Sequence, residues 1–301
     1  MKVLITGATG LVGSTLTKLV VSKGHSVNYL STSKKKLSDD PNYKGFFWNP
    51  QLSDIDENAF LGVDAVIHLA GASISKRWTK KYKNEILDSR VNSANLLLQV
   101  VMKNRGHVKH FISASATGIY PSSLGEVYFE TSKSSDKGFL GSVVSRWEES
   151  ADKFSKLGIK VCKLRTGLVL SEKGGALPEL MKPIQLGLGS AFGSGRQIQS
   201  WIHINDLCSM YLFALEHSLT GTYNAVAPNP VTNAELTKAV AGILDKPLFL
   251  PKVPKFAMKL LLGEMHQLLF DSQNVSPEKI LKSGFTFRFI DVNSAIKNLL
   301  T

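Results

Sequence analysis

The chain opens MKVLITGATGLVGSTL, and this short stretch restricts the fold more than any other part of the sequence. VLIT (3–6) is an apolar, partly β-branched run that ends at Gly7, and Leu11, Val12 and Leu16 then recur at helical spacing. Gly7, Gly10 and Gly13 therefore stand between a strand and a helix. Glycines there permit a tight turn, let the backbone approach a pyrophosphate, and allow helix and strand to pack closely. The helix start adds free N–H groups and a partial positive charge. Thr9, Leu11 and Val12 line the same turn and are expected to touch the bound group. A tight turn that holds no ligand is the competing reading.

A length of 301 residues suits one large α/β unit or two modest lobes, and 43% hydrophobic with 20% charged residues describes an ordinary globule. LLLQVVM and KLLLG are too short to span a membrane. The apolar N-terminal residues run straight into a glycine turn, unlike a secretory signal. Cys162 and Cys208 are too few for a disulfide framework and lack metal-ligand spacing. A cytoplasmic, reduced protein with no metal and no membrane partner is expected. The net charge of +12 gathers in KKK (34–36), KRWTKKYK (76–83) and at Lys252, Lys255 and Lys259. Without a nucleic-acid module, these read mainly as solvated faces rather than a nucleic-acid surface.

The first two thirds alternate strands and helices. Strands are expected at VLIT (3–6), SVNYL (26–30), AVIHLA (65–70), HFISAS (110–115) and KVCKLR (160–165), with amphipathic helices near 11–23, 80–103 and 139–157. This pattern gives an α/β fold with a doubly wound parallel sheet, that is, a Rossmann domain. The domain is expected to span 1–170 and to regain a strand within about 203–228, at TYNAVAP. The glycine-rich excursion at about 171–202 and the mainly helical 229–301 make a small C-terminal lobe, closed by GFTFRF as a short alternating strand.

GATGLVG, HLAG (68–71) and SASATGIY (113–120) resemble successive signatures of the extended short-chain dehydrogenase/reductase family. The resemblance is closest to an atypical branch of the NAD-dependent epimerase/dehydratase superfamily, the "epimerase family" proteins, whose C-terminal domain has no assigned role. It rests on LRTGLVLSEKGGALPELMKPIQLGLGSAFGSGRQIQSWIHINDL, YNAVAPNPVTNAELT and LLLGEMHQLLFDSQNVSPEKILKSGF, and runs from Met1 almost to Thr301. It implies a Rossmann core, a small C-terminal lobe and NADP(H) binding.

The residues themselves favour NADP(H) over NAD(H). An NAD site usually ends its second strand in an acid that holds the ribose and repels a 2′-phosphate, but here YLSTSKKKLSDD has no acid before Asp39. Ser31, Thr32 and Ser33 offer hydroxyls and Lys34 a positive charge, although the lysines also fit a solvated loop. An arginine often stands at the Thr32 position in the atypical branch. Leu69, Ala70 and Gly71 are small enough for a dinucleotide to pass over, and the resemblance places Gly167, Leu168 and Val169 beside the nicotinamide.

The wider family transfers a proton with Ser and Tyr-x-x-x-Lys. Ser115 fits the serine position, but Val144 stands at the tyrosine and Glu148 at the lysine. A carboxylate raises rather than lowers a phenol's pKa, but it accepts hydrogen bonds from ribose hydroxyls, so Glu148 reads as a cofactor-orienting residue. Ser115 and Tyr120 are the remaining candidates for proton transfer, and Arg196, Trp201 and His203 for contact with a small-molecule substrate. His203 and Asp206 equally suit a helix start. Two functions stay open, an NADP-dependent oxidoreductase or epimerase and a non-catalytic NADP(H)-binding redox sensor or scaffold, with a basic nucleic-acid-associated protein as a weaker third. Substrate and oligomeric state are not legible.

Overall fold

In the computed structural model, which describes residues 1–103 and 107–301, strand β1 (Lys2–Thr6) lies inside a nine-stranded sheet. Val3 and Ile5 enter one hydrophobic core and Leu4 the other. Alternate side chains of a strand face opposite sides, so a strand covered on both faces reads as continuously apolar.

From β1 the chain runs through helix α1 (Leu11–Ser22) to β2 (Ser26–Ser31) and β3 (Tyr43–Asn49) on one side. It then crosses to β4 (Ala65–His68), β5 (His110–Ala116), β6 (Lys160–Thr166) and β7 (Gly221–Ala225) on the other. The sheet order is therefore β7-β6-β5-β4-β1-β2-β3, with all these neighbours parallel. Two-residue strands, Asp39–Asp40 and Asp54–Ile55, pair antiparallel with β3. The direction of growth reverses between β1 and β4, and that switch point opens a crevice at the carboxyl ends of the strands. Helix α1 and helix α4 (Ile204–Glu216) cover one face, while α2 (Lys80–Lys103) and α3 (Phe139–Asp152) cover the other.

Strand β3 is an addition to the expected set. Its sequence, YKGFFWN, carries a lysine and a glycine where a strand pattern would carry apolar residues. Gly45 is needed because a Cβ there would lie 2.6 Å from the Tyr29 ring. The excursion after Gly167 also contains a helix, Ala176–Gln185, with Pro183 inside it.

GFTFRF does not form the strand expected of it. Phe285, Phe287 and Phe289 are buried in alternation with exposed Thr286 and Arg288, but among the described residues no strand pairs with them. The Asp206 carboxylate takes the place of a neighbouring strand by accepting the N–H groups of Arg288 (3.0 Å) and Phe289 (2.9 Å). The mainly helical C-terminal part shares its core with the sheet, since one apolar cluster contains Ile5, Leu16, Val240 and Ile296. Among the described residues no helix is long and apolar enough to cross a membrane.

Candidate functional site

The glycine turn closes with Gly10 N–H donating to the Gly7 carbonyl at 2.9 Å. Two of its glycines are fixed by the protein itself. Gly7 has φ +71°, and a Cβ on Gly13 would sit 2.1 Å from the Gly7 carbonyl oxygen. Gly10 differs: it is exposed, and an added Cβ would meet only the Gly7 oxygen, at 3.2 Å. Among the described residues no side chain caps the N-terminus of α1 beside it. An open backbone next to an uncapped twelve-residue helix fits a dinucleotide pyrophosphate.

Across the switch point, Thr6 Oγ1 pairs with His68 Nδ1 at 2.7 Å and accepts the N–H groups of Leu69 (3.2 Å) and Ala70 (3.1 Å). Ser93 holds the other ring nitrogen of His68 at 3.1 Å. Burial pushes His68 down to about 4, so the imidazole is neutral and acts as a spacer. The network fixes the segment Leu69–Gly71 against the glycine turn.

At the end of β2, Ser31 is buried and its Oγ accepts the Ser33 N–H at 3.1 Å. Thr32 and Lys34 are exposed, and the Lys34 ammonium lies 5.0 Å from the centre of the Phe47 ring. The hydroxyl and basic groups thus share one rim of the crevice.

A cavity of about 210 Å³ lies beyond the ends of β5 and β6. Its walls include Ala116 and Thr117, Val144 and Trp147 from α3, and Gly167 and Leu168. A Cβ on Gly167 would stand 2.1 Å from the Ser200 carbonyl oxygen, so only glycine allows the chain to turn out of the sheet there. Of the residues expected near the nicotinamide, Gly167 and Leu168 line the cavity, whereas Val169 lies further along a short strand paired with Ile202.

Ser115, Tyr120 and Glu148 are joined through Arg165 and do not line the cavity. Ser115 Oγ donates to Glu148 Oε1 at 2.6 Å, and the Arg165 guanidinium grips both carboxylate oxygens at 2.8 and 2.9 Å. Arg165 also donates to the Tyr120 hydroxyl (2.9 Å), which itself donates to Asn224 Oδ1 (2.7 Å). Burial alone would raise the Glu148 carboxyl, but Arg165, Ser115 and nearby Lys163 hold it below the usual carboxylate range. Burial raises the Tyr120 phenol, although Arg165 opposes the shift. Glu148 is buried, unlike its exposed neighbour Glu149, and its oxygens face Arg165 and Ser115 instead of an open ribose site.

The three expected substrate residues also lie elsewhere. Trp201 is fully buried and donates to the Asn229 carbonyl at 2.9 Å. His203 caps α4 by accepting the Asn205 N–H at 3.0 Å and stacks on Phe289. Arg196 is exposed on a glycine-rich turn. Ile198, Gln199 and Ser200, just before Trp201, line the cavity instead.

Two further polar residues, Arg90 and Asp271, stand on the cavity wall without being expected there. Arg90 donates to the Ala72 (3.2 Å) and Ile86 (2.8 Å) carbonyls and lies 4.9 Å from the Trp147 ring centre. Burial, with no carboxylate salt bridge among the described residues, brings its pKa down to about 10. A signal was present: Ile86, Arg90, Ser93 and Leu97 share one helix face, and a cation in that buried stripe asks for an anion. Asp271 had no signal beyond its place in LLFDSQNV. Trp147 Nε1 is buried without a partner among the described residues, leaving a donor in the same wall.

The NAD dependent epimerase/dehydratase family matches this chain over residues 3–225. The chain belongs to that family. A second match, a domain of unknown function (DUF1731), covers residues 253–299 and so includes Asp271. The epimerase family protein YfhF of Bacillus subtilis is 36% identical over all of this chain and 98% of its own length. Epimerase family protein SAR0825 of Staphylococcus aureus is 36% identical over 99% of this chain and 98% of its own length. Among solved structures, human epimerase family protein SDR39U1, crystallised with NADPH, superposes with a TM-score of 0.85 at 29% identity, covering 99% of each chain. The likeness to that structure thus covers both the sheet and the C-terminal region.

Proposed function

We propose that the protein binds NADP(H) across the crevice and acts as an oxidoreductase on a small molecule held in the cavity at the ends of β5 and β6. The observation that carries this reading is the arrangement along one rim: open Gly10 with the uncapped α1, then the clamped Leu69–Gly71 segment, then the cavity. NADPH in the human relative supports the choice of cofactor. Gly10 and the first turn of α1 would hold the pyrophosphate, and Ser33, Lys34 and Lys35 the 2′-phosphate. Bound NADP(H) supplies or removes a hydride. The chain contributes the apolar enclosure of Val144, Trp147 and Leu168, which excludes water, and the Arg90 guanidinium, which favours an anionic group at that end of the cavity. Titration of the purified chain with NADPH and NADH, followed by fluorescence, tests the reading. Saturable binding with preference for NADPH is expected, and absence of saturable binding sinks it.

A second reading, a non-catalytic NADP(H) sensor, draws support from one feature. The Ser115 hydroxyl is committed to Glu148, and valine replaces the phenol. Tight NADPH binding without oxidation of NADPH by any member of a broad carbonyl panel distinguishes this reading from the first.

A further inference from the structure

Asp271 comes from the C-terminal region that has no assigned role, yet it reaches the cavity beside α3. Among the described residues that line the cavity it is the only acid, and Arg90 is the only base. No hydrogen bond or salt bridge among the described residues ties up its carboxylate. The backbone around it is held firmly. Asp271 N–H donates to Gln267 O (2.9 Å), Ser272 N–H to Ser122 Oγ (3.0 Å), and Gln273 N–H to Ile198 O (3.1 Å). Ser272 Oγ accepts the Ile198 N–H at 3.0 Å, Ser200 Oγ donates to Gln273 O at 2.7 Å, and Gln273 Nε2 donates to Tyr120 O at 2.6 Å. Asn274–Val275 then pairs with Val127–Tyr128. So many fixed neighbours around one unengaged carboxylate make a presented group rather than a stray surface charge.

We infer that Asp271 is the proton-transferring residue of the cavity, delivered by the C-terminal lobe where the helix of the usual phenol carries only Val144. The inference rests on the oxidoreductase reading above and deepens it. In the reducing direction, the Asp271 O–H bond breaks and its proton joins the oxygen of a substrate carbonyl as the carbonyl carbon gains the hydride of a reduced nicotinamide. The electron pair of the broken bond stays on the carboxylate, which regains a proton from water. The substrate is thereby a small aldehyde or ketone, and the product an alcohol. Burial raises the Asp271 carboxyl, the neighbouring Asp136 carboxylate adds to the effect, and Lys255 and His266 act against it. Arg90 faces the same space from α2. Asp136 is itself held by the Gly138 (3.0 Å) and Gly141 (3.1 Å) N–H groups at the start of α3. A raised carboxyl paired with a fixed anionic neighbour is the usual route to a proton donor near neutral pH.

Carboxyl carbon NMR on the full chain, labelled at aspartate, tests this directly, with the Asp271 signal identified by its loss in D271N. It is expected to titrate above the ordinary aspartate value of about 3.9, and to move down in D136N. In parallel, NADPH affinity of D271N should stay within about twofold of the wild type. The rate of NADPH-dependent reduction of 4-nitrobenzaldehyde should fall about a hundredfold or more in D271N, with D271E partly restoring it. The wild-type rate should decline as pH rises through the Asp271 titration. An ordinary or lowered titration in the wild-type chain overturns the inference, whether or not this aldehyde is turned over. Undiminished reduction by D271N overturns it too. Failure of the wild-type chain to bind NADPH instead brings down the oxidoreductase reading itself.

Discussion

Ser115 donates its hydroxyl to Glu148 across 2.6 Å, so the two residues that the family resemblance sets at the serine and lysine positions are bonded to each other. Arg165 closes the arrangement by holding the Glu148 carboxylate with two parallel bonds. A carboxylate in place of lysine therefore brings its own cation, on β6, one strand from Ser115 on β5. Such a fork–carboxylate pair is rigid and satisfied, and it leaves proton transfer to another residue.

The first prediction follows from that pair. Glu148→Gln removes the charge that Arg165 needs and strands a largely buried guanidinium, at a cost of about 3–5 kcal/mol. Arg165→Met should cost as much alone, and the double variant less than the sum, because the uncompensated charge is then absent. The Glu148 carboxyl is held below its usual range, so its contribution is present above about pH 4.3 and lost as pH falls through the folded value. Urea midpoints of the three variants at neutral and acid pH check this. Additive losses would show that the pair is not coupled.

The second concerns His68. Its folded pKa is depressed to about 4 while the unfolded chain titrates near 6.5. The unfolded state therefore takes up a proton first as pH falls, and native stability is lost from about pH 6.5 downward. Between pH 7 and 5 this single histidine accounts for about 2 kcal/mol. His68→Asn should lower stability at pH 7 yet flatten the decline to pH 5. An equally steep decline in the variant would assign the pH dependence to other groups.

The third separates two glycines of one turn. A side chain on Gly13 collides with the Gly7 carbonyl at 2.1 Å, whereas a Cβ on Gly10 meets only the Gly7 oxygen, at 3.2 Å. Gly13→Ala should lower the melting temperature by several degrees, as a loss of about 1–3 kcal/mol implies for overpacking. Gly10→Glu should fold normally but lose NADPH binding, because its carboxylate blocks and repels the pyrophosphate. Thermal unfolding and fluorescence titration of both variants give the comparison. Wild-type NADPH affinity in Gly10→Glu would place the cofactor elsewhere.

These contrasts show where the sequence is legible. Val3, Leu4 and Ile5 announce a two-sided strand, and the glycine spacing locates the turn, because both depend on neighbours in the chain. GFTFRF has the alternation of a strand but is completed by the Asp206 side chain, about eighty residues away, which no local pattern encodes. Trp201 and His203 face inward because Gly167 and Ser200 bring two chain segments into contact, a register that only the assembled fold sets. Asp271 is the extreme case, since its reach to the cavity depends on bonds from Ser122, Ile198 and Tyr120 to the residues just after it.

The last prediction concerns the adenine end, where the argument is electrostatic. No acid follows β2 until Asp39, and Lys34 and Lys35 are exposed beside the Ser31–Ser33 turn. A 2′-phosphate there gains charge-assisted bonds that a ribose hydroxyl cannot make. Lys34 is partly restrained by its contact with the Phe47 ring at 5.0 Å, so the charge is placed before the ligand arrives. Lys34→Ala with Lys35→Ala should weaken NADPH by about 1.5–3 kcal/mol, or roughly ten- to a hundredfold, and leave NADH nearly unchanged. The NADPH advantage of the wild type should also shrink as salt is raised, since these charges lie in solvent. Equal losses for both dinucleotides would mean that the lysines hold the shared pyrophosphate instead. No loss for either would leave them a solvated loop, and the preference between cofactors would then have to come from Ser33 and Thr32.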